Sequence, residues 1–225
     1  MTRLLCLVMG VFSVLSCTYA QSHIGIEGEG LACNLPGNAT GGPSDILGQQ
    51  RAPRLACGGG VWADFRMSDY LDFQPHIDLT PKGAALYKGS AQEGYFHATY
   101  LEVPLRLMYR VPVGYDDFFI GGGVYGAVGV KGMYRSRIDS SGATATPMYS
   151  GDIHFSTLHS PNGLYLSPWD AGYTATASYQ FSFGLVVHLE YSRGLVNICP
   201  QGDGCLHNQA LSLGIGYLFH YNTRD

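Results

Sequence analysis

The chain of 225 residues has a formal net charge of −4, 13% charged residues, 12% aromatic residues and 31 glycines. Soluble domains carry about 25% charged residues, so this composition is unusual for a cytosolic enzyme and favours a β-rich protein that contacts lipid. The sequence has no basic block, and we therefore expect no nucleic-acid partner. After the first twenty residues, no segment is long and apolar enough for a transmembrane helix. A membrane-embedded chain would therefore have to cross with strands.

The first twenty residues have the features of a secretory signal peptide. Arg3 precedes an apolar run over residues 4–15, and the small residues of "TYA" end just before Gln21. This pattern predicts a signal peptide over residues 1–20 and one exported domain over residues 21–225. An alternative interpretation is a lipoprotein that is acylated at Cys17.

The exported part contains eight segments with strand character. In chain order they lie near 23–33, 56–67, 70–80, 95–111, 117–131, 169–181, 183–194 and 209–221. Within the fourth segment the residues at every second position from Leu101 are apolar, whereas Glu102, Arg106 and Arg110 lie on the other side. Alternation with a period of two predicts strands whose two faces meet different environments.

The connections between these segments alternate between long and short. The long ones span 34–55, 81–94, 132–168 and 195–208, and the short ones lie at 68–69, at 112–116 and around 182. Transmembrane β-barrels have this asymmetry, with tight periplasmic turns and long external loops. The sequence therefore predicts an all-β fold, namely an eight-stranded antiparallel up-and-down transmembrane β-barrel.

The alternation also predicts what fills the barrel. Eight strands enclose an interior just wide enough for side chains, and an arginine on the lipid face would cost about 2–4 kcal/mol at the midplane. We therefore expect an inward-facing polar network in which opposite charges neutralise each other. Its predicted members are Asp72, His76, Asp78, Glu102, Arg106, Arg110, His188 and Glu190. In the fifth segment, Lys131 falls on the same side as Phe119 and Tyr125.

Several stretches resemble one known family. The stretches "YLEVPLRLMYRV", "FFIGGGVYGAVG", "WDAG", "VVHLEYSRGLVNI" and "NQALSLGIGYLF" occur in this order. Together they are similar to the outer-membrane β-barrel family that is common in Bacteroidota, whose small barrels have the shape of the OmpA and OmpX type. The most recognisable motif consists of Tyr100, Leu101, Glu102, Pro104 and Leu105.

This resemblance implies a location in the bacterial outer membrane, contact with outer-membrane lipid and assembly by the barrel-assembly machinery. It implies no particular activity, because members of the family mostly have no established one. One feature departs from the family, whose barrels usually end on an aromatic residue. Here "HYNTRD" follows Phe219, so that Tyr221 is the alternative terminal signal.

Four cysteines follow the signal peptide, and an even number in an exported chain predicts two disulfides. Cys199 and Cys205 bracket the turn-rich "PQGDG" and form one expected pair, and Cys33 with Cys57 forms the other. A four-thiolate metal site is the rival interpretation, but neither pair has the usual spacing of two residues.

Two further patterns are interpreted as structural. "GGGVYG" over 121–126 matches a dinucleotide fingerprint, but no helical pattern follows it, so it indicates a crowded strand. His188, Glu190 and Ser192 share an inward face, whereas lipid-modifying chemistry has to face the lipid. We therefore expect no catalytic residue and no cofactor.

The connection over residues 132–168 is long enough to be functional or disordered. It is interpreted either as a surface-exposed binding loop or as a mobile shield without a fixed partner. Asp152, His154 and His159 in it lack tight ligand spacing, so we expect no metal.

The sequence thus predicts a non-enzymatic outer-membrane barrel that presents surface loops to an unknown ligand and contributes to envelope integrity, surface recognition or adhesion. The alternatives are a lipid-modifying enzyme, a narrow passive pore, and a soluble exported barrel that binds a small apolar ligand.

Overall fold

The computed structural model describes residues 22–39, 50–88, 91–137, 148–156, 163–199 and 204–219. The predicted signal peptide, Cys17 and the residues after Phe219 lie outside the described residues. The described part contains these strands: β1 (Ser22–Asn34), β2 (Gly37–Ala39), β3 (Gln50–Ala52), β4 (Arg54–Arg66), β5 (Leu71–Lys88), β6 (Ala91–Val113), β7 (Asp116–Arg137), β8 (Met148–Phe155), β9 (Leu164–Leu166), β10 (Trp169–Gln180), β11 (Leu185–Gly194), β12 (Gly204–Leu206) and β13 (Gln209–Phe219). Among these residues, no helix is long and apolar enough to cross a membrane.

Eight of these strands form a closed ring. Strands β1, β4, β5, β6, β7, β10, β11 and β13 each pair antiparallel with two neighbours, in chain order. The last strand returns to the first, with Phe219 opposite Ile24 and Gln209 opposite Asn34. The predicted eight-stranded antiparallel up-and-down barrel is therefore confirmed, and all eight predicted segments are strands.

The two faces of the ring have inverted polarity. On β13 the exposed side chains include Leu213 and Ile215, with 62% and 57% of their surface accessible. Between them in sequence lies Gly214, and the preceding inward residue Ser212 is only 4% exposed. A sheet that presents leucine outward and serine inward is suited to a surrounding of hydrocarbon and not of water.

We call the outward surface the apolar belt. Along β6 it extends from Leu101 to Val111, which at 3.4 Å per residue and a tilt of roughly 45° spans about 25 Å. This is the height of the apolar band of outer-membrane barrels. The belt comprises the outward-facing residues within 24–32, 55–65, 71–79, 101–111, 118–130, 171–177, 185–191 and 211–219. None of these described outward positions carries a hydroxyl-bearing Ser or Thr, a His or a formally charged side chain.

Three neighbouring strands continue beyond the belt. β5, β6 and β7 have 18, 23 and 22 residues, whereas the other five barrel strands have 10 to 13. The predicted loop over 81–94 is therefore wrong, because residues 81–88 pair with residues 91–99 as a continuing hairpin. The Gly, Ala and Pro residues of this segment resemble a loop in sequence, but pairing with β7 on the far side of β6 holds the hairpin as sheet.

The same extension shortens the predicted connection over 132–168. β7 continues to Arg137, and the described part of the remaining connection contains β8 and β9. β8 pairs antiparallel with β7, and β9 pairs parallel with β8. We call β2, β3, β8, β9, β12 and the extensions of β5, β6 and β7 the external lobe.

The external lobe has its own apolar core. Inward residues of the long strands meet residues from the connections, and Phe155 of β8 packs edge-on against the ring of Tyr100 at 5.6 Å between centroids. The buried members of the cluster are Leu35, Ala39, Ala84, Leu86, Phe96, Ala98, Tyr100, Tyr125, Ala127, Ile153, Leu164, Leu166, Ile198, Cys199 and Leu206. This cluster lies across the long-loop end of the barrel.

A shift in register decides where Lys131 points. Opposite Thr99 and Tyr100 the pairing skips one residue, because Tyr100 faces Gly129 and Thr99 faces Lys131. The extra residue Val130 reverses the alternation of the strand, as a β-bulge does. Lys131 is therefore exposed, and the alternation is wrong in predicting that it shares a side with Phe119 and Tyr125.

The short-turn end is tied together by Asp116. Its carboxylate accepts the backbone N–H of Ser182 at 2.8 Å and the hydroxyl of Tyr179 at 2.9 Å, and thereby joins the turn at 114–115 to the turn at 181–184. These donors, chiefly the N–H of Ser182, hold the pKa of Asp116 below its ordinary value.

The lowered pKa of Asp116 predicts a pH dependence of stability. A group whose pKa is lower in the folded state stabilises the protein above its ordinary pKa, and this stabilisation is lost as the pH falls through the folded value. We therefore expect Asp116→Asn to be less stable than the wild type at pH 7, and the difference to shrink as the pH falls below about 4. Urea unfolding in lipid vesicles between pH 7 and pH 3 measures this, and a difference that is constant with pH would contradict it.

The apolar belt predicts a cost for a buried cation. Leu107 lies near the middle of the belt, opposite Phe73 and Gly122. We expect Leu107→Arg to lower the free energy of unfolding in lipid vesicles by about 2–4 kcal/mol. Leu107→Met is the matched control. Tyr115 is a turn residue that is 92% exposed. We expect Tyr115→Arg to change the free energy of unfolding by no more than about 0.5 kcal/mol. Equal effects of the two arginines would show that the belt does not face lipid.

Candidate functional site

The lumen of the barrel contains all the residues of the predicted polar network. Each of the eight is at most 7% exposed. Side chains from different strands meet there in three layers, which we describe from the short-turn end to the external lobe. The eight residues are Asp72, His76, Asp78, Glu102, Arg106, Arg110, His188 and Glu190.

The layer at the short-turn end is centred on Arg110. Its guanidinium forms an ion pair with Asp72, and its Nη1 lies 3.6 Å from Oδ2 of Asp117. The ring of Phe119 lies 5.2 Å below the guanidinium carbon. One arginine between two carboxylates compensates much of the charge in this layer.

The middle layer is centred on Arg106. Its Nη2 lies 2.7 Å from Oε2 of Glu190, and its Nη1 lies 3.0 Å from Nε2 of His76. His76 Nδ1 in turn lies 3.0 Å from Oε1 of Glu27. His188 Nδ1 lies 3.5 Å from the other oxygen of Glu27. This layer therefore contains more carboxylates than fixed cations.

The layer beneath the external lobe is centred on Lys82, which is fully enclosed. Its Nζ lies 2.5 Å from Oε2 of Glu102 and 3.4 Å from Oδ2 of Asp170. The ring of Tyr125 lies 4.2 Å from the same ammonium group, and its hydroxyl donates to Asp170 at 3.1 Å. Asn208 completes the layer by donating to Asp170 at 2.7 Å.

Three important lumen residues were missed from the sequence. Lys82 lies in the segment that was interpreted as a loop, and Glu27 lies on the first strand, where the alternation is weak. Asp170 lies within the quoted "WDAG" but received no role. The register of each strand against its neighbours would have been needed to place them, and a single sequence does not contain it.

The contacts of the lumen histidine and glutamate do not form a hydrolase site. Glu190 accepts hydrogen bonds from Arg106 and from the hydroxyl of Thr176 at 2.7 Å. His188 lies against the carboxylates of Glu27, at 3.5 Å, and Glu29, at 3.9 Å. These side chains face the lumen, whereas the described residues of the apolar belt offer no Ser, His or acidic group to lipid. Among the described residues, the three lumen layers consist mainly of charged and polar side chains, a lining that does not favour a small apolar ligand.

None of the four cysteines of the described residues forms a disulfide. Cys33 is buried, and its Sγ donates to the carbonyl oxygen of Pro81 at 3.0 Å, whereas Cys57 is exposed on the outer face. The predicted bond between these two is incompatible with the structure, because their side chains lie on opposite faces of β1 and β4. Cys199 is buried and Cys205 is exposed, and the bond between them is absent from the structure and stays a prediction.

The glycine-rich stretch over 121–126 lies inside β7. A Cβ at Gly121 would overlap the carbonyl oxygen of Leu107 on β6, and a Cβ at Gly123 would overlap that of Leu105. This agrees with a crowded strand. In the external lobe, Asp152 and His154 are exposed, and the His154 ring packs against Tyr165 with centroids 5.2 Å apart. His159 lies outside the described residues.

Comparisons with known proteins agree with this architecture. The family described as "Outer membrane protein beta-barrel domain" matches residues 20–199. No curated protein matches the sequence. Among solved structures, the attachment invasion locus protein Ail of Yersinia pestis, in complex with the heparin analogue sucrose octasulfate, is 12% identical, with 88% of this chain and 99% of that chain covered and a TM-score of 0.45.

Two further solved structures have similar values. Neisserial surface protein A is 12% identical, with 86% of this chain and 96% of that chain covered and a TM-score of 0.42. The outer membrane protein OprG from Pseudomonas aeruginosa is 13% identical, with 88% of this chain and 96% of that chain covered and a TM-score of 0.43.

The enclosed lysine predicts a strong dependence of stability on its charge. Lys82→Met would leave the carboxylates of Glu102 and Asp170 without their cation. Breaking a buried ion pair from one side costs about 3–5 kcal/mol, and we expect this loss in urea unfolding of the barrel in lipid vesicles. The double variant Lys82→Met/Glu102→Gln should recover part of it. Lys131→Met, on the exposed lysine, is the control, and an equal loss there would contradict the assignment.

Proposed function

Because the chain belongs to the outer membrane protein β-barrel family, we propose that it is a non-enzymatic surface protein whose external lobe serves in recognition or adhesion and supports the integrity of the envelope. The protein resides in the bacterial outer membrane, where its apolar belt contacts lipid. Export through the signal peptide at residues 1–20 and insertion by the barrel-assembly machinery are part of this proposal. The proposal includes a surface ligand, to which we assign no identity.

The observation that carries the proposal is the apolar core of the external lobe. Loops that only connect strands need no such core, whereas binding residues are commonly held on loops that a rigid scaffold positions. Hydrogen bonds also fasten the lobe: the N–H of Ser167 donates to Ile198 O at 2.9 Å and the N–H of His207 to Pro36 O at 3.1 Å. The guanidinium of Arg51 donates to Leu35 O at 3.1 Å.

The exposed side of the lobe is polar and mixed in charge. Lys131, Arg135, Asp152 and His154 are exposed on the neighbouring strands β7 and β8. Such a surface supports binding of a polar partner at the cell exterior.

The filled lumen argues against the passive pore. Three layers of ion pairs occupy the barrel, and the apolar cluster of the lobe lies across its outer end. We therefore expect planar-bilayer recordings of the purified protein to show no conductance steps above background. Lys82→Ala, which shortens one central side chain, is recorded in the same way for comparison with the wild type. Stable single-channel steps from the wild-type protein would contradict the filled lumen and favour the pore.

The recognition hypothesis is tested in cells that lack the chromosomal copy. They are complemented with the wild type, with a variant that has residues 138–147 replaced by a Gly-Ser linker, or with a control that has the turn residues 68–69 replaced likewise. At equal amounts in the outer membrane, we expect the first variant to lower adherence to host cells or matrix and the control to leave it unchanged. Equal adherence of all three would overturn the recognition role, and detergent sensitivity reports the envelope role separately.

The positions of the cysteines predict the orientation of the barrel in the membrane. Cys205 is exposed in the external lobe, Cys57 lies on the apolar belt against lipid, and Cys33 and Cys199 are buried. We expect a membrane-impermeant maleimide to label Cys205 in intact cells and to leave Cys205→Ser unlabelled. Labelling that requires prior reduction would establish the bond with Cys199. Labelling only after the outer membrane is broken would contradict an external lobe.

A further inference from the structure

Three potential metal ligands converge in the middle layer of the lumen. One ligand atom each from Glu27, His76 and Asp78 lies within 4.8 Å of the others. We propose that this site binds one divalent first-row transition-metal ion, although the sequence predicted no metal. Such an ion would link β1 and β5 across the lumen.

The register of three strands explains how the two carboxylates meet. Glu27 on β1 lies opposite Gly60 on β4, and Gly60 lies opposite Asp78 on β5. The two carboxylates are therefore two strands apart, with a glycine between them. A Cβ at Gly60 would overlap the carboxylate of Asp78, so the missing side chain makes the space in which the acids approach each other. His76 lies two residues before Asp78 and faces the same side.

An unpaired carboxylate oxygen of Asp78 also indicates a bound cation. The residue is only 5% exposed, and its Oδ1 has no hydrogen-bond partner among the described residues. Removing a carboxylate oxygen from water without a donor or a cation is costly. A metal ion bound to this oxygen would remove that cost.

The charge balance of the layer favours a cation. The carboxylates of Glu27, Glu29, Asp78 and Glu190 face one fixed cation, Arg106. If the histidines are neutral and metal binding ionises all four carboxyl groups, four negative charges and one positive charge give a net charge of −3. Arg106 is paired with Glu190 at 2.7 Å. A divalent ion would reduce the net charge of the layer to −1.

The distances suit a metal bound at Nδ1 of His76. Two ligands that each lie about 2.1 Å from a metal at a right angle are about 3.0 Å apart. Oε1 of Glu27 and Nδ1 of His76 are separated by 3.0 Å. Nη1 of Arg106 lies closer to Nε2 of His76, at 3.0 Å, than to Nδ1, at 3.4 Å. One imidazole with two carboxylates favours Zn²⁺, Mn²⁺ or Co²⁺ over Ca²⁺ and Mg²⁺, which prefer oxygen ligands alone.

The test uses the untagged full chain purified from outer membranes. Because the site is enclosed, the protein is unfolded in denaturant with a chelator, freed of metal and refolded into detergent micelles with Co²⁺, Zn²⁺ or Ca²⁺. We expect one Co²⁺ per barrel with ligand-field absorption in the visible, and no stoichiometric binding of Ca²⁺. Zn²⁺ at 100 times its Kd should raise the temperature at which the folded form is lost by roughly 5–10 °C.

The variants locate the ion within the barrel. Asp78→Asn and His76→Gln should weaken Co²⁺ binding at least tenfold and abolish the absorption. Asp64→Asn, on a lumen carboxylate that accepts a hydrogen bond from Gln74 at 3.1 Å, is the matched control and should bind like the wild type. Folding of each variant is checked by the mobility of unboiled protein on detergent gels.

Two results would overturn the proposal. One is a folded wild type that binds no Co²⁺ or Zn²⁺, and the other is undiminished binding by Asp78→Asn and His76→Gln, which would assign the ion to surface histidines. If neither variant folds, the wild type refolded with Zn²⁺ is measured by X-ray absorption at the zinc edge, which identifies the ligands of the ion. A shell of oxygen ligands with an imidazole nitrogen supports the lumen site, and a shell without imidazole contradicts it.

Discussion

The closed ring of backbone hydrogen bonds is the constraint from which the rest of this structure follows. Lipid offers no partner to an unpaired N–H or C=O group, so a sheet that faces hydrocarbon has to return to its own first strand. Here the return is the pairing of β13 with β1, from Phe219 opposite Ile24 to Gln209 opposite Asn34. Because every strand then has one face toward lipid, the apolar residues lie outside and the charges inside.

Closure with eight strands also determines the chemistry of the interior. The lumen is too narrow for water-solvated ions, so each charge there needs a partner on another strand. Lys82 between Glu102 and Asp170 satisfies this requirement. The middle layer satisfies it less completely, since Arg106 alone faces several carboxylates. Glycines such as Gly60 make room for these side chains, which explains why a membrane barrel needs small residues on its inner face.

The external lobe shows how a small barrel can present a shaped surface. Its three longest strands do not end where the membrane ends, and the connections fold back onto them. Phe155 over the ring of Tyr100 and the buried Leu164 and Leu166 give this part an apolar core in water. The same sheet therefore has charges inside at membrane depth and apolar residues inside beyond it, because the surrounding solvent changes along the strands.

The sequence by itself determined the strand count, the inverted faces and the identity of eight lumen residues, because alternation with a period of two is a local property of the chain. Tertiary structure alone decided what depends on register. One unpaired residue at Val130 turns Lys131 outward, pairing across strands makes a hairpin of the loop-like segment around Lys82, and opposite faces separate Cys33 from Cys57. Glu27 and Asp78 meet only because Gly60 stands between them, and no sequence pattern along a single strand contains that relation.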